Sequence, residues 1–190
     1  MNDKMLEFYK QTSLYTDLGL YSDFARQLTN DIDELCILQR MQIIHPVAYD
    51  NPEIRKQSKC FWGDMTKVPI TRLDYEDDLF PTALSMLHEL LRKDNKYHID
   101  REAQNKIHVT CRGQSILLAS ILKAKGYSAR VRSGFAPYIK YDGVAYDHWI
   151  TEYYDENKKR WILVDADEHC PDHKMEFNLN DIPRDKFIFG

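Results

Sequence analysis

The sequence contains one cysteine whose position favours nucleophilic chemistry. Cys111 begins an apolar segment that opens after Thr110, a residue suited to cap a helix, and closes at Gly126, a residue suited to end one. The partial positive charge at the amino terminus of a helix favours the thiolate, which is the nucleophilic form of cysteine. Cys111 is therefore a candidate nucleophile, and a buried, inert thiol is the alternative interpretation.

A histidine and two aspartates follow in a predicted β-hairpin. Residues 144–154 and 161–165 have strand-like patterns and are joined by a polar turn. If the numbers of paired residues add to an odd value near 313 to 315, His148 shares a sheet face with Asp165 and Asp167. A sum of 313 places His148 opposite Asp165, and a sum of 315 places it opposite Asp167 with Asp165 on the diagonal. An even sum separates the histidine from both carboxylates.

Cysteine, histidine and a carboxylate can together form a catalytic triad. An imidazolium beside a thiol stabilises the thiolate, and a carboxylate behind the imidazole sets its tautomer and holds its charge. His148 is the candidate imidazole, and the hairpin register leaves both Asp165 and Asp167 available as the carboxylate.

The segment that carries these residues resembles the core of the transglutaminase-like superfamily. The likeness spans about residues 107–168 and consists of four motifs in a specific order: Cys111-Arg112, Gly126-Tyr127-Ser128-Ala129-Arg130, His148-Trp149 and Trp161-Ile162-Leu163-Val164-Asp165. The resemblance implies that Cys111 is the nucleophile, His148 the general base and acid, and Asp165 the residue that orients His148. It also implies an α+β, papain/transglutaminase-like core in which the Cys111 helix packs against an antiparallel sheet.

Two further features bear on this resemblance. Many relatives carry Asp or another residue with Phe after the Cys-Arg pair, whereas this chain has Gly113-Gln114. The superfamily usually completes its oxyanion hole with the backbone N–H of the cysteine and an upstream side chain, often an aromatic N–H in true transglutaminases. Trp62 is the candidate donor here, because an indole N–H can bond a developing oxyanion. The alternative for Trp62 is a packed aromatic ring under a long loop.

The sequence predicts one transglutaminase-like domain over residues 1–190, with the candidate site in its second half. The predicted parts are a helical amino-terminal portion with a long loop at 1–95, a catalytic core at 100–170 and a carboxy-terminal tail at 171–190. Within the first part we expect helices over about 4–44 and 79–92, and a proline-containing loop at 45–79.

Four other histidines are interpreted as ordinary surface or core residues: His45, His88, His98 and His108.

Composition excludes several classes of protein. The 190 residues include 26 Lys and Arg against 30 Asp and Glu, a net charge of −4, which excludes a general nucleic-acid or anionic-membrane binder by bulk charge. No stretch approaches the roughly 18 uncharged apolar residues of a membrane span. The charged amino terminus has no signal-peptide pattern, and the four cysteines form no C-x-x-C pair. We therefore expect a cytoplasmic protein with separate thiols.

The reaction implied by the resemblance is acyl transfer through a thioester, on a peptide or protein that carries an amide, without a metal or other cofactor. Water as the acceptor makes the protein a protease, amidase or deamidase, whereas an amine makes it a transferase, and the spacing does not decide between them. Two alternatives stay open. One is a non-catalytic binding module on the same fold, and the other is a metal-binding protein that uses the loop His169-Cys170-Pro171-Asp172-His173.

Overall fold

The computed structural model describes residues 3–46, 62–141, 144–167 and 176–190. Their α-helices are α1 (Asp3–Lys10), α2 (Ser22–Gln27), α3 (Ile32–Arg40), α4 (Leu73–Leu79), α5 (Ala83–Lys93) and α6 (Cys111–Ala124). Their strands are β1 (Ile43–Ile44), β2 (Ile107–His108), β3 (Ala129–Tyr141), β4 (Val144–Asp155), β5 (Arg160–Val164) and β6 (Ile188–Phe189). Short 3₁₀ turns connect several of them. The architecture mixes helices with an antiparallel sheet and is therefore compatible with an α+β fold.

The larger of the two described sheets has the strand order β5-β4-β3-β6, and each neighbouring pair is antiparallel. Thr151 of β4 pairs with Val164 of β5, so the partners' numbers add to 315, one of the two odd sums compatible with the predicted site. The register of β3 against β4 shifts at a bulge between Ala136 and Lys140. His148 therefore lies on β4 of this sheet, and Asp165 is the residue that directly follows β5.

Helix α6 packs against this sheet and forms much of the hydrophobic core. Leu117, Leu118 and Ile121 are fully buried in the cluster that also contains residues of β3, β4 and β5. The hydroxyl of Ser115 donates a hydrogen bond of 2.9 Å to the backbone oxygen of Trp149 on β4. Gly126 follows the helix with φ of +91°, a conformation that glycine adopts without steric cost. The predicted helix and its stop signal are thus confirmed.

A short parallel pair, β1 with β2, lies on the path into α6. Ile44 pairs with His108, and the carboxylate of Glu76 on α4 accepts hydrogen bonds from both the backbone N–H (2.9 Å) and Nδ1 (2.7 Å) of His108. Arg72 and Lys93 also bond this carboxylate, at 2.8 and 3.1 Å. Burial alone would raise the pKa of Glu76, but the bonds from His108 and Arg72 hold it well below its ordinary value. This ionic network fixes the strand that leads to Cys111.

The amino-terminal portion differs from its prediction. The single helical run expected over 4–44 is three short helices that end in strand β1. A turn in which the Ser13 N–H bonds the Thr16 hydroxyl follows α1, and Asp31 caps α3 by accepting from the Glu34 N–H. The predicted loop at 45–79 contains α4, and residues 47–61 lie outside the described ranges. Local capping and turn hydrogen bonds therefore divide a segment whose apolar periodicity predicted one continuous helical run.

Candidate active site

Cys111 is the first residue of α6 and is half-buried. The preceding residue, Thr110, does not cap the helix with its side chain; its N–H and hydroxyl instead bond Asp77 of α4 at 2.8 and 3.1 Å. A Cβ at Gly113 would lie 2.8 Å from Cβ of Val109, so only glycine lets the first turn of α6 pack so closely on the chain entering it. Gly113 thus allows the turn that carries the thiol to pack against the preceding segment.

His148 lies between the thiol and a carboxylate. Its Nε2 donates to Oδ2 of Asp165 at 2.9 Å, and the Cys111 thiol is near enough to contribute to the raised pKa of the imidazole. Because Nε2 is bonded to Asp165, Nδ1 is the ring nitrogen left for the thiol. Burial opposes a charged imidazole, but the Asp165 carboxylate and the Cys111 sulfur outweigh it and raise the pKa of His148 well above its usual range.

The Asp165 carboxylate is buried and held by several donors. The Tyr138 hydroxyl donates to Oδ2 at 2.9 Å, and the backbone N–H of Asp167 donates to Oδ1 at 2.9 Å. Burial, together with the charge of Asp165, raises the pKa of Tyr138 far above its usual value, so Tyr138 stays a hydrogen-bond donor. Of the two register positions considered from sequence, Asp165 on the diagonal is the one that contacts His148.

A second histidine–carboxylate pair, formed by His45 and Asp167, lies near Cys111. A ring nitrogen of His45, Sγ of Cys111 and a carboxylate oxygen of Asp167 all lie within 4.8 Å of one another. Nε2 of His45 is 3.5 Å from Oδ2 of Asp167, and the side-chain amide of Gln114 donates to Oδ1 of Asp167 at 2.5 Å. We call His45, Cys111 and Asp167 the His45 cluster. Thiolate, imidazole and carboxylate are donors that could hold a divalent transition metal.

Sequence reasoning missed His45 and Gln114. His45 was interpreted as an ordinary surface or core residue, and Gln114 as a departure at the helix start. His45 reaches the site because β1 pairs with β2 across more than sixty residues, which places the end of β1 beside the chain that enters α6. The Asn- and Pro-rich sequence after His45 gave no sign of that pairing. The one available signal for Gln114 was its position three residues after Cys111, which places the two side chains on the same face of α6.

Two further predictions concern Trp62 and the loop that contains His169, Cys170 and His173. Trp62 is buried in a small hydrophobic cluster with Ile44, Val68 and Ala103, so its ring has a packing role, and its role as an oxyanion donor stays a prediction. The His169, Cys170 and His173 loop lies outside the described ranges.

The arrangement of cysteine, histidine and aspartate fits thiol-dependent catalysis at a coarse level. No protein-family model matches the chain, and no curated protein matches it. Among solved structures, the chain is similar to a "Putative Cysteine Protease from Cytophaga hutchinsonii", with 15% sequence identity over 78% of this chain and 49% of that chain and a TM-score of 0.30. The chain thus spans about half the length of that protein. Among the described residues, none of the helices has the length and apolarity needed to cross a membrane.

Proposed function

We propose that this protein is a thiol enzyme with a transglutaminase-like core that acts on amide or peptide bonds through a thioester acyl-enzyme. The observation that carries the proposal is the position of His148, which bonds the buried Asp165 at 2.9 Å and lies near enough to Cys111 for the thiol to help raise the pKa of the imidazole. In this proposal Cys111 is the nucleophile, His148 the general base and acid, and Asp165 the residue that orients and charges the imidazole.

The proposed resting state is an ion pair of thiolate and imidazolium. The raised pKa of His148 keeps its imidazole protonated at neutral pH, and Cys111 is the group beside that positive charge. The amino terminus of α6 adds a partial positive charge at the same sulfur. Tyr138 and Asp165 remain bonded behind the imidazole, so the charge is held in a fixed orientation.

The chemical steps follow from this resting state. The Cys111 thiolate attacks the amide carbonyl carbon, the carbon–nitrogen bond breaks, and the leaving nitrogen takes the proton from the His148 imidazolium. The product of this half-reaction is a thioester on Cys111. Water or an amine then attacks the thioester, the incoming nucleophile gives its proton to His148, and the thiolate is released. The backbone N–H of Cys111 and the indole N–H of Trp62 are the proposed donors to the oxyanion.

The proposed substrate is a peptide or protein that carries an amide, in keeping with the resemblance. A primary amine added to a turnover assay separates the two possible acceptors. Incorporation of the amine into product indicates a transferase, and formation of a free carboxylate alone indicates a hydrolase.

The first experiment measures the pH dependence of alkylation by iodoacetamide, with the modified cysteine identified by mass spectrometry. Cys36 is an internal control, because it is fully buried and burial raises the pKa of its thiol to about 12. His148→Ala removes the proposed activator. The matched control is His98→Ala, since His98 forms a similar pair with Asp94, with Nε2 2.8 Å from Oδ2.

We expect Cys111 of the wild type to react rapidly below pH 7, and we expect this reactivity to be lost in His148→Ala and kept in His98→Ala. Slow alkylation with the pH profile of an ordinary thiol in both the wild type and His148→Ala would contradict the proposal. That outcome would favour a binding module on the same fold.

A further inference from the structure

We propose that the His45 cluster is a binding site for Zn²⁺ and that zinc bound there blocks the Cys111 thiol. The cluster shares one atom, the sulfur, with the proposed catalytic site and otherwise uses a histidine and an aspartate that the proposed mechanism does not. The blocking effect rests on the proposed function, whereas the binding of zinc by these residues does not.

The distances suit a tetrahedral zinc site. Zinc binds imidazole nitrogen and carboxylate oxygen at roughly 2.0–2.2 Å, so two such ligands of one ion lie about 3.4 Å apart. Nε2 of His45 and Oδ2 of Asp167 are 3.5 Å apart, which is close to that value and longer than the roughly 2.7–3.2 Å of a usual N–H···O bond. The sulfur of Cys111 lies within 4.8 Å of both donor atoms, so small side-chain rotations complete a three-ligand set.

The surroundings of Asp167 resemble the outer shell of a metal site. The carboxylate is buried, the Gln114 amide donates to its Oδ1, and its Oδ2 lies 3.5 Å from Nε2 of His45. The side chain of Gln39 in turn donates to the backbone oxygen of Gln114 at 2.8 Å. Such outer hydrogen bonds orient ligands and are typical of zinc sites. Gln114 is thus a positioning residue for the carboxylate.

The donor set selects the kind of ion. A thiolate with an imidazole favours zinc and other transition metals over Mg²⁺ and Ca²⁺, which prefer oxygen ligands. On binding, the sulfur forms a bond to zinc and any proton on Cys111 leaves to solvent, while His45 must be neutral to donate its lone pair. Zinc affinity should therefore rise with pH. Once the sulfur is coordinated, its electron pair is no longer available for attack on an amide.

The test uses the full chain after treatment with a chelator, and Zn²⁺ alone is titrated in competition with a chromogenic chelator. We expect one Zn²⁺ per chain, with Cys111 alkylation suppressed in its presence. His45→Ala, Asp167→Asn and Cys111→Ala should each lower the affinity by about 100-fold or more, and Gln114→Ala by about 10- to 100-fold. Co²⁺ in place of Zn²⁺ should give a sulfur-to-metal charge-transfer absorption that disappears in Cys111→Ala.

Controls keep this test separate from that of the proposed function. His98→Ala should retain the zinc affinity within a few fold, and His148→Ala should still bind one Zn²⁺ per chain although it loses rapid alkylation. Circular dichroism checks that each variant is folded, and Gln114→Ala provides a milder change should His45→Ala not fold. Unchanged affinity in folded His45→Ala and Asp167→Asn would overturn the site. Loss of zinc only when His169, Cys170 and His173 are replaced together would also overturn it, in favour of that loop.

Discussion

The substitution Asp165→Asn tests the electrostatic reasoning most directly, because it keeps the size of the side chain and removes its charge. Oδ2 of Asp165 accepts from His148 and Tyr138, each at 2.9 Å, in a buried environment. A hydrogen bond to a charged group contributes about 1.5–3 kcal/mol. Since 1.4 kcal/mol is a factor of ten, loss of the charge should shift the equilibrium between the ion pair and the neutral pair by about 10- to 150-fold.

The assay is the rate constant of Cys111 alkylation between pH 5 and pH 9. We expect Asp165→Asn to slow the reaction near neutral pH by up to this factor, because the pKa of His148 falls and the imidazolium is no longer retained. Asp94→Asn is the matched control, since it changes the charge of a remote histidine pair with a similar N···O distance. An alkylation profile for Asp165→Asn that coincides with that of the wild type would refute this reasoning.

The same substitution should also change how the free energy of unfolding depends on pH. The pKa of His148 is higher in the folded chain than its usual 6.5, so the pair contributes its full stabilisation below pH 6.5 and loses it as the pH rises through the folded value. The free energy of unfolding, measured with urea, should therefore decline on the alkaline side in the wild type. The decline should be smaller in Asp165→Asn, and an equal decline in both would contradict the assignment.

Three further substitutions probe the elements around the site. Glu76→Ala should lower the free energy of unfolding by about 3–5 kcal/mol at neutral pH, measured with urea, since it leaves buried basic groups without their carboxylate. Because the pKa of Glu76 is held low, this stabilisation is present above pH 4.5 and is lost as the pH falls further. Gly113→Ala should cost about 1–3 kcal/mol of the same quantity through its clash with Val109. Trp62→Phe, measured by turnover, should lower kcat by about 100- to 1,000-fold if the indole donates to the oxyanion.

Each of these has an outcome that counts against it. Asp78→Ala is the control for Glu76→Ala, because Asp78 is an exposed carboxylate on the same helix, and equal effects of the two would refute the role of the buried network. Adding Val109→Gly to Gly113→Ala should cost less than the sum of the two changes, and strict additivity would exclude the clash. An unchanged kcat in Trp62→Phe would show that the indole N–H is not an oxyanion donor and that Trp62 has only a packing role.

The sequence by itself was sufficient for the elements that depend on local patterns. The apolar body between Thr110 and Gly126 predicted helix α6, and the odd-sum argument for the hairpin included the observed register of 315. Both are short-range properties, since a helix stop and a hairpin register are set by residues within about twenty positions. They were enough to indicate one candidate site made of Cys111, His148 and either Asp165 or Asp167, and the resemblance then singled out Asp165.

Tertiary structure decided which groups surround that site. His45 comes to Cys111 through the β1–β2 pairing, and Gln114 reaches Asp167 across 53 residues. Tyr138 lies within the bulge between Ala136 and Lys140 in β3, and no local pattern indicated that its hydroxyl would reach Asp165. These contacts depend on the packing of α6 against the four-stranded sheet and on the pairing of β1 with β2, which no single segment of sequence encodes. Local propensity therefore determined where the chemistry-bearing residues lie on their elements, while long-range pairing determined which of them meet.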